Sequence, residues 1–436
     1  MALAAVPQYL GHDFSHASPA LRFGMYLPLW GVDQRSKEML WNTHDISYEI
    51  RGQQQQERAK RNENKVAALK NACALSLSDK SLAKALAQRQ ILTFSTAPNS
   101  LRLQATAIAP FTTGLGNEHP LENGFSFLNP YGLPYLAGSS VKGVLRRAAD
   151  ELASGEWNQA DVPSCSRELR HEVQNQQGKP LFDASDLDVL FGSEALGGDN
   201  HLRGVLSFWD VIPQIEGNSL MVDIMTPHQS HYYQRKDHMG SVSPHDSGSP
   251  TPISFLTVPP GSHLAFHVVC DTVRLNHLAP DLAHAERWKL LLVSAFEHAF
   301  TWLGFGAKTS VGYGAMSRDT EAEATLSRLQ AQTKAASEKA SKMASLSDNA
   351  RHIEKFVVAC QKRLDQLVGA RKDKPNTELH AKARALSKAA LEGGGWTTEE
   401  KGVAAQALAE WLPQVVDVDM KDERKKLKLA QLTGNA

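Results

Sequence analysis

Between two apolar runs lies Gly304-Phe305-Gly306-Ala307-Lys308-Thr309-Ser310-Val311-Gly312-Tyr313-Gly314. Glycine tolerates φ > 0, so a stretch this rich in it lets backbone approach backbone, or a ligand, closely. Before it, Trp288–Leu303 has apolar residues at 288, 292, 295, 296, 299 and 303, the spacing of a buried helix. After it, Val311–Met316 reads as a short strand. The glycine run is thus a helix-to-strand joint, and the fold follows from what precedes it.

Further out, Leu101–Ala109 alternates, with Leu101, Leu103, Ala105 and Ala107 on one side and Arg102, Gln104 and Thr106 on the other. That is the pattern of a half-buried strand. Val141, Leu145, Ala148 and Leu152 predict an amphipathic helix over 138–152. Val205–Trp209 and Leu264–Cys270 are β-rich runs bounded by Gly204 and by Pro259–Gly261. In chain order this is β-α-β-β-α-β, an α+β, ferredoxin-like (RRM-like) core over 101–318. Insertions at 110–138, 154–203 and 211–262 enlarge it. The last joins the two central strands, so it is expected to project from the sheet edge, with Gly240–Pro252 as its tip. Residues 1–100 read as a mixed segment with a polar helix over about 47–74. Residues 319–436, rich in Ala and Lys, predict a helical extension with helices near 321–345, 350–369, 376–392 and 398–412 and a basic run at Lys421–Lys428.

A chain of 436 residues, 42% hydrophobic, suits two to four globular units. Lys+Arg and Asp+Glu both total 47, which excludes a histone-like polycation and an acidic tail protein but not a local basic patch. Cys73, Cys165, Cys270 and Cys360 form no CxxC pair, so neither a zinc ribbon nor a thioredoxin motif is present, and they read as free thiols. The start, Met-Ala-Leu-Ala-Ala-Val-Pro, lacks a basic n-region, and Glu297 and His298 interrupt the most apolar stretch. The expectation is a soluble cytoplasmic protein with no membrane partner.

The stretch from His298 to Arg318 holds no acidic residue, so the field around the glycine run is positive. Lys308, Thr309 and Ser310 add a cation and two hydroxyls, while Gly304, Gly306, Gly312 and Gly314 are expected to expose backbone N–H groups. Neither familiar nucleotide motif fits. A P-loop needs glycine directly before Lys308, where Ala307 stands, and the Rossmann fingerprint needs one at Thr309. A turn required only for close packing is the competing reading. A second basic element opens the helix at 138. Ser139 or Ser140 is expected to cap it, and Lys142 and Arg146, four apart, share a face with Arg147 beside them. Its plain alternative is a solvated basic face balanced by Asp150 and Glu151.

Five strings carry a family likeness. They are Thr113-Gly-Leu-Gly-Asn-Glu-His-Pro-Leu-Glu-Asn-Gly124, Gly132-Leu-Pro-Tyr-Leu-Ala-Gly-Ser-Ser-Val-Lys-Gly143, Val222-Asp-Ile-Met-Thr-Pro-His228, Phe255-Leu-Thr-Val-Pro-Pro-Gly261 and the glycine run itself. Together they resemble the RAMP superfamily of CRISPR proteins and, within it, the subunit-six family of type III-B (Cmr) effector complexes. The glycine run fits that superfamily's Gly-hydrophobic-Gly-x5-Gly-x-Gly signature without a gap. The likeness covers roughly residues 100–318.

The resemblance implies a non-catalytic subunit that binds the guide RNA (crRNA) near its 3′ end and meets target RNA. Its implied neighbours are the subunit-one RAMP and the repeating backbone subunit. Carried over to this sequence, Ser139, Ser140, Lys142, Arg146 and Arg147 with Lys308, Thr309 and Ser310 become RNA-backbone candidates. The 211–262 insertion becomes a thumb, with Arg235 and Lys236 as its cations. The alternative is a RAMP-fold endoribonuclease working through His119, His228 or Asp223. No paired base or Ser/His/Asp spacing supports catalysis, so no catalytic residue is assigned. His228, His231, His238 and His245 with Asp223, Asp237 and Asp246 read as a structural or RNA-contacting loop in preference to a metal centre, since their spacing is not that of a helical HExxH. No metal or cofactor is expected.

Overall fold

The computed structural model describes residues 8–10, 13–27, 30–32, 39–41, 44–47, 60–95, 97, 99–155, 162–174, 179–194, 201–227, 232, 252–367 and 371–434. It divides into two compact units, Met1–Thr325 and Leu326–Ala436. The fold is α+β.

In the first unit, α1 (Asn64–Cys73) and α2 (Leu77–Ser95) precede β1 (Ser100–Ala107). α3 (Gly138–Ala153) leads to a ribbon of β2 (Arg170–Gln174) and β3 (Pro180–Ser185), then short α4 (Asp186–Phe191) and β4 (Leu206–Phe208). A second ribbon, β5 (Met221–Met225) and β6 (Ile253–Thr257), is followed by β7 (His263–Cys270), α5 (Arg287–His298) and β8 (Met316–Arg318). Four of these strands form one antiparallel sheet in the order β4-β7-β1-β8. Its register sets Leu206 against Cys270, Leu103 against Phe266 and Ala107 against Met316.

Period-two alternation explains how this sheet finds its faces. Leu103, Ala105 and Ala107 of β1 are buried on the side of Phe266 and Val268, while Arg102, Gln104 and Thr106 point the other way. α3 and α5 pack together over the apolar face. α3 contributes Val141, Leu145 and Ala148 at helical spacing, and Phe266 meets Phe296 at 5.3 Å and Phe300 at 5.5 Å. Phe305, from the glycine run, enters the same cluster 5.0 Å from Phe266 and is fully buried.

The joint differs from its sequence reading. α5 ends at His298 in a π turn over Ala299–Leu303, and the last strand starts at Met316, five residues later than Val311. Gly312 and Gly314 adopt φ of +94° and +75°, which no extended strand allows, so Thr309–Val311 forms a 3₁₀ turn instead. In the N-terminal segment the helix begins only at Asn64, because Lys60–Glu63 pairs with His44–Ser47 as a two-stranded ribbon. This segment shares the core: Phe23, Leu69, Ala72 and Cys73 belong to the same apolar cluster as Leu103 and Phe266. Buried Arg22 ties it down, donating to the carbonyls of Ala17 (2.9 Å), Asn71 (2.6 Å) and Ala74.

The helices after β8 are α6 (Thr320–Ser345), α7 (Asp348–Gln366), α8 (Glu378–Glu392), α9 (Thr398–Val415), α10 (Met420–Lys426) and α11 (Leu429–Leu432). The second unit has its own core, including Ile353, Phe356, Cys360, Leu386, Leu408 and Leu412. Among the described residues no helix is long and apolar enough to cross a membrane.

Candidate nucleic-acid interface

The glycine run is folded back on residues 110–112. Gly314 donates its N–H to Pro110 O (2.9 Å), Ala307 to Thr112 O (2.8 Å) and Phe305 to Gly314 O (2.9 Å). A Cβ on Gly306 would lie 2.2 Å from Thr112 O, and one on Gly314 would lie 1.9 Å from Phe305 O. Both positions therefore need glycine for packing as well as for φ. Gly312 is different: its φ is +94°, but nothing lies within 4 Å of the missing Cβ.

These bonds correct one expectation. The N–H groups of Gly304, Phe305, Ala307, Val311, Gly312 and Gly314 all go to the chain's own carbonyls, so three of the four glycines do not offer theirs to a ligand. What it presents is side chains. Thr309 is half-buried and Ser310 exposed, and Lys308, itself left-handed at φ +60°, holds Nζ 5.6 Å from the centre of the Phe255 ring. Phe255 belongs to β6, so the loop cation sits over the base of the 211–262 insertion. Tyr313 strengthens that link: its ring is 5.8 Å from Phe255 and its hydroxyl donates to Asp223 Oδ2 of β5 at 2.5 Å. Burial and this bond push the Tyr313 phenol up to about 12, so it stays a neutral donor.

The helix start also differs. Ala137, not a serine, is the N-cap of α3, and Gly138 N–H donates to Asp210 Oδ1 at 2.7 Å. A carboxylate of the chain thus occupies the helix end where an external anion was expected. Gly138 permits this start, since a Cβ there would meet Phe208 O at 2.3 Å. Ser139 and Ser140 fall inside the first turn with exposed side chains, and Lys142 is half-buried.

Further along α3 the arginines are turned to one side. Arg146 Nη1 donates to Gly192 O (2.7 Å), and Arg147 Nε donates to Glu151 Oε1 (2.7 Å). Glu151 also holds buried His298 at 2.9 Å; burial would raise the Glu151 carboxyl, but hydrogen bonds from His298 and Arg147 outweigh it and lower the pKa. Arg146 and Arg147 line an open cleft of about 500 Å³ with Arg167 and Arg170. The sequence reading missed these last two, because Arg167-Glu168-Leu169-Arg170-His171-Glu172 has the mixed charge of any solvated face. Only strand pairing sorts it: His171 and Val173 turn inward while Arg170 and Glu172 face out.

Several other candidates resolve as structural. His119 has both ring nitrogens engaged, Nε2 with Phe23 O at 2.9 Å and Nδ1 accepting from Leu121 N–H at 3.1 Å, and burial lowers its pKa. Asp186, the first residue of α4, is fully buried: its carboxylate binds His171 at 2.7 Å and Ser166 N–H at 2.8 Å. Asp188 closes a capping box with Ser185. Arg235 and Lys236 lie outside the described residues, as do His228, His231, His238, His245, Asp237 and Asp246. Among the described residues no group of three or more His, Cys, Asp or Glu side chains is arranged to hold a metal ion.

Residues 104–317, which contain the glycine run, the start of α3 and both ribbons, match the RAMP superfamily model. The chain carries a RAMP-superfamily domain. Within the curated proteins, the CRISPR system Cmr subunit Cmr6 of Pyrococcus furiosus is 30% identical over 233 residues. The match takes in 46% of this chain and spans 63% of that relative's length. Among solved structures, the type III-B Cmr-beta complex bound to cognate target RNA contains a chain 17% identical, covering 58% of this chain and 69% of that one, with a TM-score of 0.35. The crystal structure of Cmr6 from Pyrococcus furiosus is 25% identical, covering 50% of this chain and 98% of the other, with a TM-score of 0.27. The RAMP domain thus accounts for the basic elements, while the second unit lies beyond it.

Proposed function

We propose that this chain is a crRNA-binding structural subunit of a type III-B CRISPR effector complex and performs no catalysis itself. The observation that carries the reading is the 30% identity to Cmr6 together with a RAMP domain that encloses both basic elements. The topology supports it. A strand-helix-strand-strand-helix-strand order with the first strand central in an antiparallel β4-β7-β1-β8 sheet is what a ferredoxin-like core requires. On this reading Lys308, Thr309, Ser310 and the exposed side of α3 face the RNA backbone, and the β5–β6 ribbon is the stem of a thumb. The partners are crRNA, target RNA, the subunit-one RAMP and the repeating backbone subunit, with this chain near the crRNA 3′ end. The engagement of both His119 ring nitrogens by backbone supports a non-catalytic role.

The test is a Lys142→Ala, Arg146→Ala, Lys308→Ala triple variant assembled into the complex. crRNA retention should fall, and fall further as salt rises, because backbone contacts act through counterion release. Retention identical to wild type across the salt titration would remove these residues from the interface. Single-site cleavage of repeat RNA by the purified chain, abolished by Asp223→Asn, would overturn the non-catalytic reading.

A further inference from the structure

The cleft between α3 and the β2–β3 ribbon suits a second stretch of RNA backbone. We infer that Arg146, Arg147, Arg167 and Arg170 form a sequence-independent phosphate clamp, half of it supplied by the 154–203 insertion. This rests on the RNA-binding reading above and adds to it a surface and a readout mode.

The guanidiniums are oriented without being used up. Arg146 is anchored through Nη1 to Gly192 O, with Asp188 only at 3.8 Å, and its side chain is 45% exposed. Asp188 cannot follow it, since Oδ2 is held by Ser185 N–H (3.0 Å) and Ser185 Oγ (2.7 Å). Arg147 uses Nε on Glu151 and leaves its terminal fork in solvent at 72% exposure. Arg167 pairs with Asp150 at 2.8 Å, but both are about half exposed, and such pairs contribute little and are readily exchanged. Arg170 is exposed on β2, with no side-chain ion pair or hydrogen bond among the described residues. Four arginines against Asp150, Asp188 and the Glu151 that pairs with Arg147 still leave the cleft net positive.

The lining also says what the cleft is not. Leu187 is its one large apolar side chain and is itself buried, so a protein partner would find no anchor pocket of the kind that dominates binding energy. No aromatic side chain lines it, so no base is stacked. Planar guanidinium forks match phosphate oxygens in pairs, and contacts to phosphate position a nucleic acid without reading its sequence.

The experiment uses the full-length chain and two unrelated single-stranded RNAs of equal length, with binding measured by fluorescence anisotropy over a KCl series. Arg167→Ala with Arg170→Ala should weaken both RNAs by about tenfold and flatten the slope of log K against log salt by roughly 1.4, two contacts at about 0.7 each. Arg167→Lys with Arg170→Lys should keep most of the slope while losing part of the affinity, since charge stays and the fork goes. Inorganic phosphate should compete only at concentrations far above the RNA; equal competition would assign the cleft to a free anion and overturn the clamp. Unchanged affinity and slope in the alanine variant, with Lys142→Ala, Lys308→Ala still weakening binding, would sink the clamp and leave the RNA reading standing. A wild-type chain that binds neither RNA would sink both.

Discussion

Replacing Gly314 by alanine should destabilise the first unit far more than the same change at Gly312, although both glycines have positive φ. A left-handed backbone costs an L-residue about 1–2 kcal/mol, and that is all Gly312→Ala incurs, because the space around its Cβ is empty. At Gly314 the new Cβ would sit 1.9 Å from Phe305 O, well short of contact distance, and neither atom can move unless the backbone does. The loop must open, straining the Phe305–Gly314 and Gly314–Pro110 hydrogen bonds, both 2.9 Å, each contributing about 1 kcal/mol. The sum is about 3–4 kcal/mol for Gly314→Ala against about 1–2 for Gly312→Ala. Urea unfolding, followed by fluorescence and by far-UV circular dichroism so that the two units' transitions separate, measures both. Gly306→Ala, with Thr112 O at 2.2 Å, should rank beside Gly314→Ala. If Gly314→Ala fell within about 0.5 kcal/mol of Gly312→Ala, the close-packing explanation of the signature would be wrong.

Three further outcomes follow from the buried thiols, the α9 cap and the His380–Glu423 pair. All four cysteines are buried, and burial pushes Cys73, Cys165 and Cys270 up to about 12 and Cys360 to about 11. A thiolate-selective reagent at pH 8 should therefore label the chain only after denaturation; rapid labelling of the folded chain would contradict this. Thr397→Ala removes the cap of α9, whose hydroxyl accepts from Glu400 N–H at 3.1 Å, and should cost the second unit about 1 kcal/mol by thermal melting, with Thr397→Ser largely restoring it. Burial alone would raise the Glu423 carboxyl, but its 2.6 Å bond to His380 and the nearby Lys426 hold it below the usual value. A depressed carboxylate stabilises above its unfolded pKa, about 4.3, and that contribution fades as pH falls through the lower folded value. Glu423→Gln should flatten the acid limb of the second unit's stability curve, and an unchanged limb would count against the pair.

The local periodicities were legible in the sequence. Leu103, Ala105 and Ala107 announce a strand with one wet face, and Val141, Leu145 and Ala148 announce a helix with one dry stripe; both stand where expected within a residue or two. In the second unit α6 to α9 also fall close to their expected spans, since Ser347, Pro375, Gly393 and Thr397 mark their ends locally. The N-terminal helix was misjudged because its charge mixture carries no clear period, so the pairing of Lys60–Glu63 with His44–Ser47 could not be seen.

The candidate site divides along the same line. By itself the sequence determined that four glycines, a lysine and two hydroxyls stand together free of acids, because adjacency along the chain is a local property. It left open whether the glycines served a ligand or the fold. Tertiary structure answered part of that, setting residues 110–112 within hydrogen-bond reach of the run so that Ala307 and Gly314 give their N–H groups to Thr112 O and Pro110 O. The same holds for charge. Asp210 lies 72 positions from the Gly138 that it binds, and Arg167 and Arg170 stand beside Arg146 from more than twenty positions away. Which charges cancel and which gather depends on distance in space, and chain separation does not encode that.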